Sequence, residues 1–143
     1  GRAKAEVEVM EYLANLDMSV FVYCPLNVYD LDELRNVHPR GYKIIREKNP
    51  DLPIIIITTP HSVANEADDV DYTYRRRIVE MQTYINAYES GDKNVYFIDG
   101  WQFFNFPEGD GCTTDGAHPS DLGFMHIADV VGNEIDTILR KRL

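Results

Sequence analysis

Pro53-Ile54-Ile55-Ile56-Ile57-Thr58-Thr59 is the stretch from which the fold is read. Four successive isoleucines cannot alternate between core and solvent, and β-branching favours strand over helix. The run is too short for a core helix, and Pro60 ends it. A strand apolar on both sides belongs inside a parallel sheet covered by helices on both faces. Val20-Phe21-Val22-Tyr23-Cys24, ended by Pro25, has the same character and is expected to be buried on both faces. Asn94-Val95-Tyr96-Phe97-Ile98 supplies a third strand.

Helical patterns separate these runs. From Lys4 to Leu16, apolar Val7, Met10, Leu13 and Ala14 share one face, with Glu6, Glu8 and Glu11 between them. Asp30 caps a helix from Leu31 to about Lys48, with Glu33 in the capping-box position. Pro39 inside that span predicts a kink or a late start, and Asn49-Pro50-Asp51 stops the helix. His61 to Asp69 reads as a loop. A long helix is expected from about Asp71 to Ser90, with Ile78, Met81, Ile85 and Tyr88 facing inward and Gly91 as the stop. Trp101 to Phe104 suits a short helical turn, and Phe106 to Pro119 a polar, glycine-rich loop. Ser120 or Asp121 then caps a last helix to about Arg142, which buries Ile127, Val130, Val131, Ile135 and Ile138. Such alternation specifies an α/β fold of three layers, α/β/α, with a parallel sheet. Three strands are fewer than the roughly 5–6 of a usual sheet. The chain also opens Gly1-Arg2-Ala3-Lys4 rather than on Met, so it is a piece of a longer protein or carries added residues. The expectation is that the first strands of the sheet lie elsewhere.

The 143 residues suffice for one domain, and 44% hydrophobic against 27% charged residues is a globular balance. A net charge of −10 argues against nucleic acid or an anionic membrane as partner, and no spanning segment is visible. Arg75-Arg76-Arg77 and Arg140-Lys141-Arg142 are short basic clusters, expected on a solvated helix face or helix end. Cys24 and Cys112 lack metal-like spacing; Cys24 reads as a buried thiol and Cys112 as part of a polar loop.

In a parallel sheet, ligands bind beyond the C-terminal ends of the strands. Three polar segments fall there: Pro25-Leu26-Asn27, Pro60-His61-Ser62 and the loop from Gly109 to Pro119. Only the last combines an acid and a histidine in close spacing. Asp115 and His118 are separated by small Gly116 and Ala117, so a tight turn can bring the carboxylate to the imidazole Nδ1. Taken alone, the Asp-x-x-His spacing is common and suits a solvated turn equally well. His61 is placed to line a pocket or to sit in solvent; His126 reads as structural and His38, before Pro39, as exposed. Trp101, Phe103, Phe104 and Phe106 suit an apolar wall beside the site or core packing beneath it. Glu108, Asp110, Asp115 and Asp121 lack the pattern of a calcium loop.

Asp115-Gly116-Ala117-His118-Pro119-Ser120-Asp121-Leu122-Gly123-Phe124 resembles the last block of the SGNH/GDSL hydrolases. Met18 to Tyr23, Ile45 to Asp51 and Asn94 to Gly100 also look like a bacterial esterase-like subgroup of that family. The resemblance implies a flavodoxin-like α/β/α domain, of which residues 1–143 would be the C-terminal part. It implies that His118 is a catalytic base oriented by Asp115, that Asn27 donates to an oxyanion, and that Gly1 supplies a second donor from its N–H. It implies ester hydrolysis through an acyl-enzyme, acting on a small-molecule or carbohydrate ester, with no metal or organic cofactor. The family's Gly-Asp-Ser nucleophile block is absent from these 143 residues. Ser19, Ser62, Ser90 and Ser120 lack suitable surroundings, so no nucleophile is assigned. Two other functions stay open. One is a non-catalytic α/β module that binds a ligand or partner; the other is a metal-dependent hydrolase using Asp110, Asp115 and His118. In the family's strand order, 2-1-3-4-5, absence of the first two strands would leave Val20–Cys24 as an apolar edge. That edge is expected to pair with a missing segment or with a second copy.

Overall fold

A computed structural model describes residues 3–60, 63–105, 107 and 109–142, the side chains of 63–70 and 110 excepted. The three apolar runs form parallel strands β1 (Phe21–Tyr23), β2 (Ile54–Ile57) and β3 (Val95–Ile98), in spatial order β1-β2-β3. Phe21 pairs with Ile54, and Ile54 with Val95 on its other side. The central position of β2 explains its composition, since all four isoleucines are buried.

Helices α1 (Val7–Ala14), α2 (Leu31–Lys48), α3 (Val63–Glu89) and α4 (Asp121–Arg140) cover the sheet unequally. Ile54 and Ile56 join Phe21, Tyr23 and Val95 in a core with Met10 and Ala14 of α1, Ile45 of α2 and Ala87 of α3. Ile55, Ile57 and Ile98 face the other way, onto Phe103, Ile138 and the expected apolar stripe of α4. Three helices therefore pack on one face and α4 on the other. β1 departs from expectation, because Val22 is 39% exposed. β1 is one of the two edge strands, and there Val22 stays partly open to solvent.

α2 starts at Leu31, with Asp30 accepting from the Glu33 N–H at 2.7 Å, and it runs through Pro39 to Lys48 without a late start. Pro39 lies on the solvent side, while the buried stripe is Leu34, Val37, His38, Gly41 and Ile45. His38 is thus wholly buried rather than exposed. Its Nδ1 lies 2.8 Å from Thr83 Oγ1, and its ring tilts against Tyr23 at 4.7 Å.

α3 begins at Val63, so much of the expected loop is helical. Its inward stripe is Thr73, Arg76, Glu80, Thr83 and Ala87, whereas Ile78 and Tyr88 are exposed. The 3–4 spacing is that of a helix face, but the residues on it are polar or small. A polar stripe can face inward only if every group on it finds a partner; those partners shape the site described below.

At the opposite end of the sheet, Arg46 of α2 performs a similar task. Its guanidinium donates to the carbonyls of Asn49 (2.9 Å), Pro50 (3.0 Å), Leu52 (2.7 Å) and Asn94 (3.2 Å), and to Asp92 at 2.8 Å. The strands β2 and β3 are thereby tied together where they start.

Burial, reinforced by the nearby Arg76 charge, pushes the His38 imidazole down to about 3 from its ordinary 6.5. The unfolded chain therefore takes up a proton in this window that the folded chain excludes, and stability falls as pH drops from about 6.5 towards 3. His38 is expected to cost about 2 kcal/mol between pH 7.5 and pH 5. Urea unfolding at the two pH values measures this, and a His38→Gln variant should lack that part of the pH dependence.

Candidate active site

The segment from Gly109 to Ser120 is a hairpin that closes on itself. It opens with a 3-10 turn, Gly109–Cys112, and Thr113 bridges Pro119 in antiparallel fashion. The Thr114 N–H donates to the His118 carbonyl at 2.9 Å, and the Ser120 N–H to that of Cys112 at 2.9 Å. Cys112 is fully buried and anchors the loop beneath its polar surface. Ser120 caps α4: its hydroxyl accepts from the Gly123 N–H at 3.3 Å and donates to the Gly111 carbonyl at 2.7 Å. Gly123 is required by close approach, because a Cβ there would stand 2.1 Å from the Cys112 carbonyl oxygen.

Inside this hairpin Asp115 and His118 meet. Asp115 Oδ2 lies 2.7 Å from His118 Nδ1, while Oδ1 accepts from the N–H groups of His118 (2.8 Å) and Ala117 (3.0 Å). The turn needs a positive φ at Gly116, +85°, which a glycine adopts without strain. The His118 N–H, then its ring, then the Ala117 N–H hold the Asp115 carboxyl far below the usual carboxylate range. An ionised carboxylate only accepts, so Nδ1 carries a proton, and in the neutral imidazole it is Nε2 that presents a lone pair. The His118 side chain is 80% exposed.

His118, Ala117 and Asn27 line one cleft of about 430 Å3, together with Arg76, Phe104 and Phe124. The sequence-expected base and oxyanion donor are therefore brought to one place, beyond the C-terminal end of the sheet. Asn27 is half-buried; its N–H donates to the Ala3 carbonyl at 3.2 Å, and its Oδ1 accepts from the Tyr29 hydroxyl at 3.4 Å. Gly1, the other expected donor, lies outside the described residues, as do His61, Ser62, Phe106 and Glu108 and the side chain of Asp110. Of the aromatic candidates Phe104 lines the cleft, Phe103 is core, and the Trp101 ring tilts against Tyr74 at 4.6 Å. No described serine lines the cleft. Ser19 precedes β1, at the far end of the sheet, and the Ser90 hydroxyl donates to the Asn86 carbonyl at 2.7 Å. Cys24, only half-buried by residue, is no substitute, since desolvation of the thiol pushes it up to about 12 and suppresses the thiolate.

The arginine cluster is where sequence reasoning went astray. Arg76 is 3% exposed and Glu80 1% exposed, and they pair at 3.4 Å. Arg76 donates from Nε to Thr59 Oγ1 at 3.1 Å and from Nη2 to the Leu26 carbonyl at 3.1 Å. From Nη1 it donates to the Val28 carbonyl and, at 3.5 Å, to the Tyr72 hydroxyl. Glu80 accepts from the Thr59 N–H at 2.6 Å and the Thr59 hydroxyl at 2.7 Å. Arg77 reaches Asp99, at the end of β3, at 2.8 Å. The overlooked signal was Thr73, Arg76, Glu80, Thr83 and Ala87 at helical spacing.

Two measurements probe the hairpin. Carboxyl titration by NMR should place the Asp115 midpoint well below that of an ordinary aspartate; an ordinary midpoint would contradict the three hydrogen bonds. Gly123→Ala should destabilise the chain by about 1–3 kcal/mol in urea unfolding, as overpacking against backbone does.

The family described as GDSL-like Lipase/Acylhydrolase matches residues 1–136. Among solved structures, a protein from Bacteroides ovatus designated a GDSL-like lipase superposes with a TM-score of 0.83 at 29% identity, over 96% of this chain and 41% of its own. The salicylyl-acyltransferase of a tetracycline biosynthetic pathway shares the fold, with a TM-score of 0.78 at 17% identity, over 95% of this chain and 42% of its own. The chain thus spans about two fifths of the length of these structures. No curated protein matches. With nearly all of its residues matched, the chain belongs to the GDSL-like lipase/acylhydrolase family.

Proposed function

We propose that the whole protein is a serine esterase, and that this chain supplies the base, its orienting acid and an oxyanion donor. The observation that carries this is the Asp115–His118 geometry, 2.7 Å at Nδ1, at a cleft shared with Asn27. A serine hydroxyl attacks the ester carbonyl and gives its proton to His118 Nε2, while Asp115 stabilises the imidazolium. The Asn27 side chain, with the Gly1 N–H, donates to the tetrahedral oxyanion; one such donor is typically worth ~3 kcal/mol. The leaving alcohol takes the proton from His118, and water repeats the sequence in reverse to release the acid. Short acyl esters, acetyl groups on carbohydrate among them, are the proposed substrates.

The serine comes from a segment outside these 143 residues, and the chain by itself is inactive. That segment docks as a strand parallel to β1. The β1 edge is unpaired among the described residues and borders an apolar groove of about 450 Å3 lined by Val9, Met10, Leu13, Phe21, Val22 and Tyr23. Parallel pairing delivers the C-terminal end of the added strand to the end of β1 that leads to Asn27, which is where the nucleophile is needed.

The test compares this chain with an upstream-extended form. Hydrolysis of short acyl esters is expected in the extended form alone, falling roughly 10^2–10^4-fold in His118→Ala. Turnover in neither would favour a non-catalytic binding module. Turnover that survives His118→Ala undiminished would remove the base assignment. In size-exclusion chromatography the chain alone should self-associate at its open edge, and the extended form should not.

A further inference from the structure

The buried Arg76 guanidinium has five N–H groups, and all five are used. Two of its acceptors are the carbonyls of Leu26 and Val28, the residues on either side of Asn27. A third is Thr59 Oγ1, on the segment that follows β2. The Thr59 hydroxyl accepts from Arg76 and donates to Glu80, and the Thr59 N–H donates to Glu80 as well. The loop after β1 is thereby fixed to the loop after β2 through one turn of α3. A lysine, with three donors on one nitrogen and no planar fork, cannot reproduce this set.

We propose that Arg76 is a positioning residue for Asn27, holding the backbone on both flanks so that the amide side chain stands where an oxyanion develops. This rests on the proposed esterase function. Asn27 lies in an irregular loop between Cys24 and Asp30, and among the described residues its side chain is anchored by one long hydrogen bond, from Tyr29. Electrostatic stabilisation of an oxyanion depends on donors already in place, because reorientation during the reaction forfeits most of the benefit. The Arg76–Glu80–Thr59 network provides that rigidity from beneath the cleft, and Arg76 itself need not touch substrate.

The experiment uses the upstream-extended protein. If its wild type does not hydrolyse esters, the esterase reading fails and Arg76 is not in question. If it does, Asn27→Ala should lower kcat by roughly 10^2-fold or more. Arg76→Lys should lower kcat by roughly 10-fold or more, with KM changed little, as expected for a contribution made only in the transition state. The deciding readout is the double variant. Asn27→Ala with Arg76→Lys should be no slower than Asn27→Ala alone, since Arg76 acts through Asn27. Losses that multiply, or an Arg76→Lys enzyme with wild-type kcat, would overturn the proposal. Should Arg76→Lys fail to fold, as judged by circular dichroism, Thr59→Val takes its place in the same cycle. It removes the Nε acceptor while keeping side-chain volume, and Thr59→Ser, which retains the hydroxyl, should restore kcat.

Discussion

Strand β2 is paired on both edges and buried on both faces, and the remaining architecture follows from that double enclosure. Its four isoleucines divide by parity, two into the core under α1, α2 and α3 and two into the core under α4. Neighbours on either side run parallel to it, so all the loops that follow strands collect at one end. Hydrophobic burial secures the middle of the sheet. It leaves unanswered how the backbone groups of the loops, which have no ladder to join, are satisfied at the sheet ends.

Two arginines answer for the loops at opposite ends. Arg46 gathers the carbonyls that lead into β2 and β3, and Arg76 gathers those that follow β1 and the hydroxyl that follows β2. Each is countered by a carboxylate, Asp92 or Glu80. Burial raises Glu80 above its ordinary range, while the Thr59 and Arg76 contacts work in the opposite direction. Removing one member of such a pair strands the other, at a cost of several kcal/mol. The arrangement therefore secures geometry more than it secures net stability, which suits the end of the sheet where the site lies.

Much of the fold was legible in the sequence, because its strongest signals are local. The isoleucine run, the Asp30 cap and the α4 stripe each depend on neighbours within one or two turns, and α2 and α4 start where their caps indicated. The Asp115–His118 pairing was likewise within reach, since three residues of spacing and two small side chains allow the turn. What escaped notice depended on partners far away in the chain. Arg76 looks solvated until the loop 50 residues earlier supplies its carbonyl. His38 looks exposed until Tyr23 and Thr83 enclose it. The inner face of α3 was misread for the same reason: apolar Ile78 and Tyr88 were favoured over Thr73, Arg76 and Glu80, whose suitability for burial exists only with the loops in place. Val22 erred in the other direction, an apolar residue left open at an edge.

The hairpin that holds His118 has a different character from the scaffold around it. Among the described residues the imidazole is held by Asp115, three residues away, and the bonds that close the hairpin span Gly111 to Gly123. Closing so short a loop costs little entropy, and it needs no contact with a distant strand. Asp115 and His118 are thus a local unit, set on a domain whose other ties reach across 50 residues of chain. The Asn27 loop depends instead on α3, which brings Arg76 beneath it to bond the Leu26 and Val28 carbonyls. The two halves of the candidate site thus differ in how far along the chain their supports lie: three residues for His118, about 50 for the loop that carries Asn27.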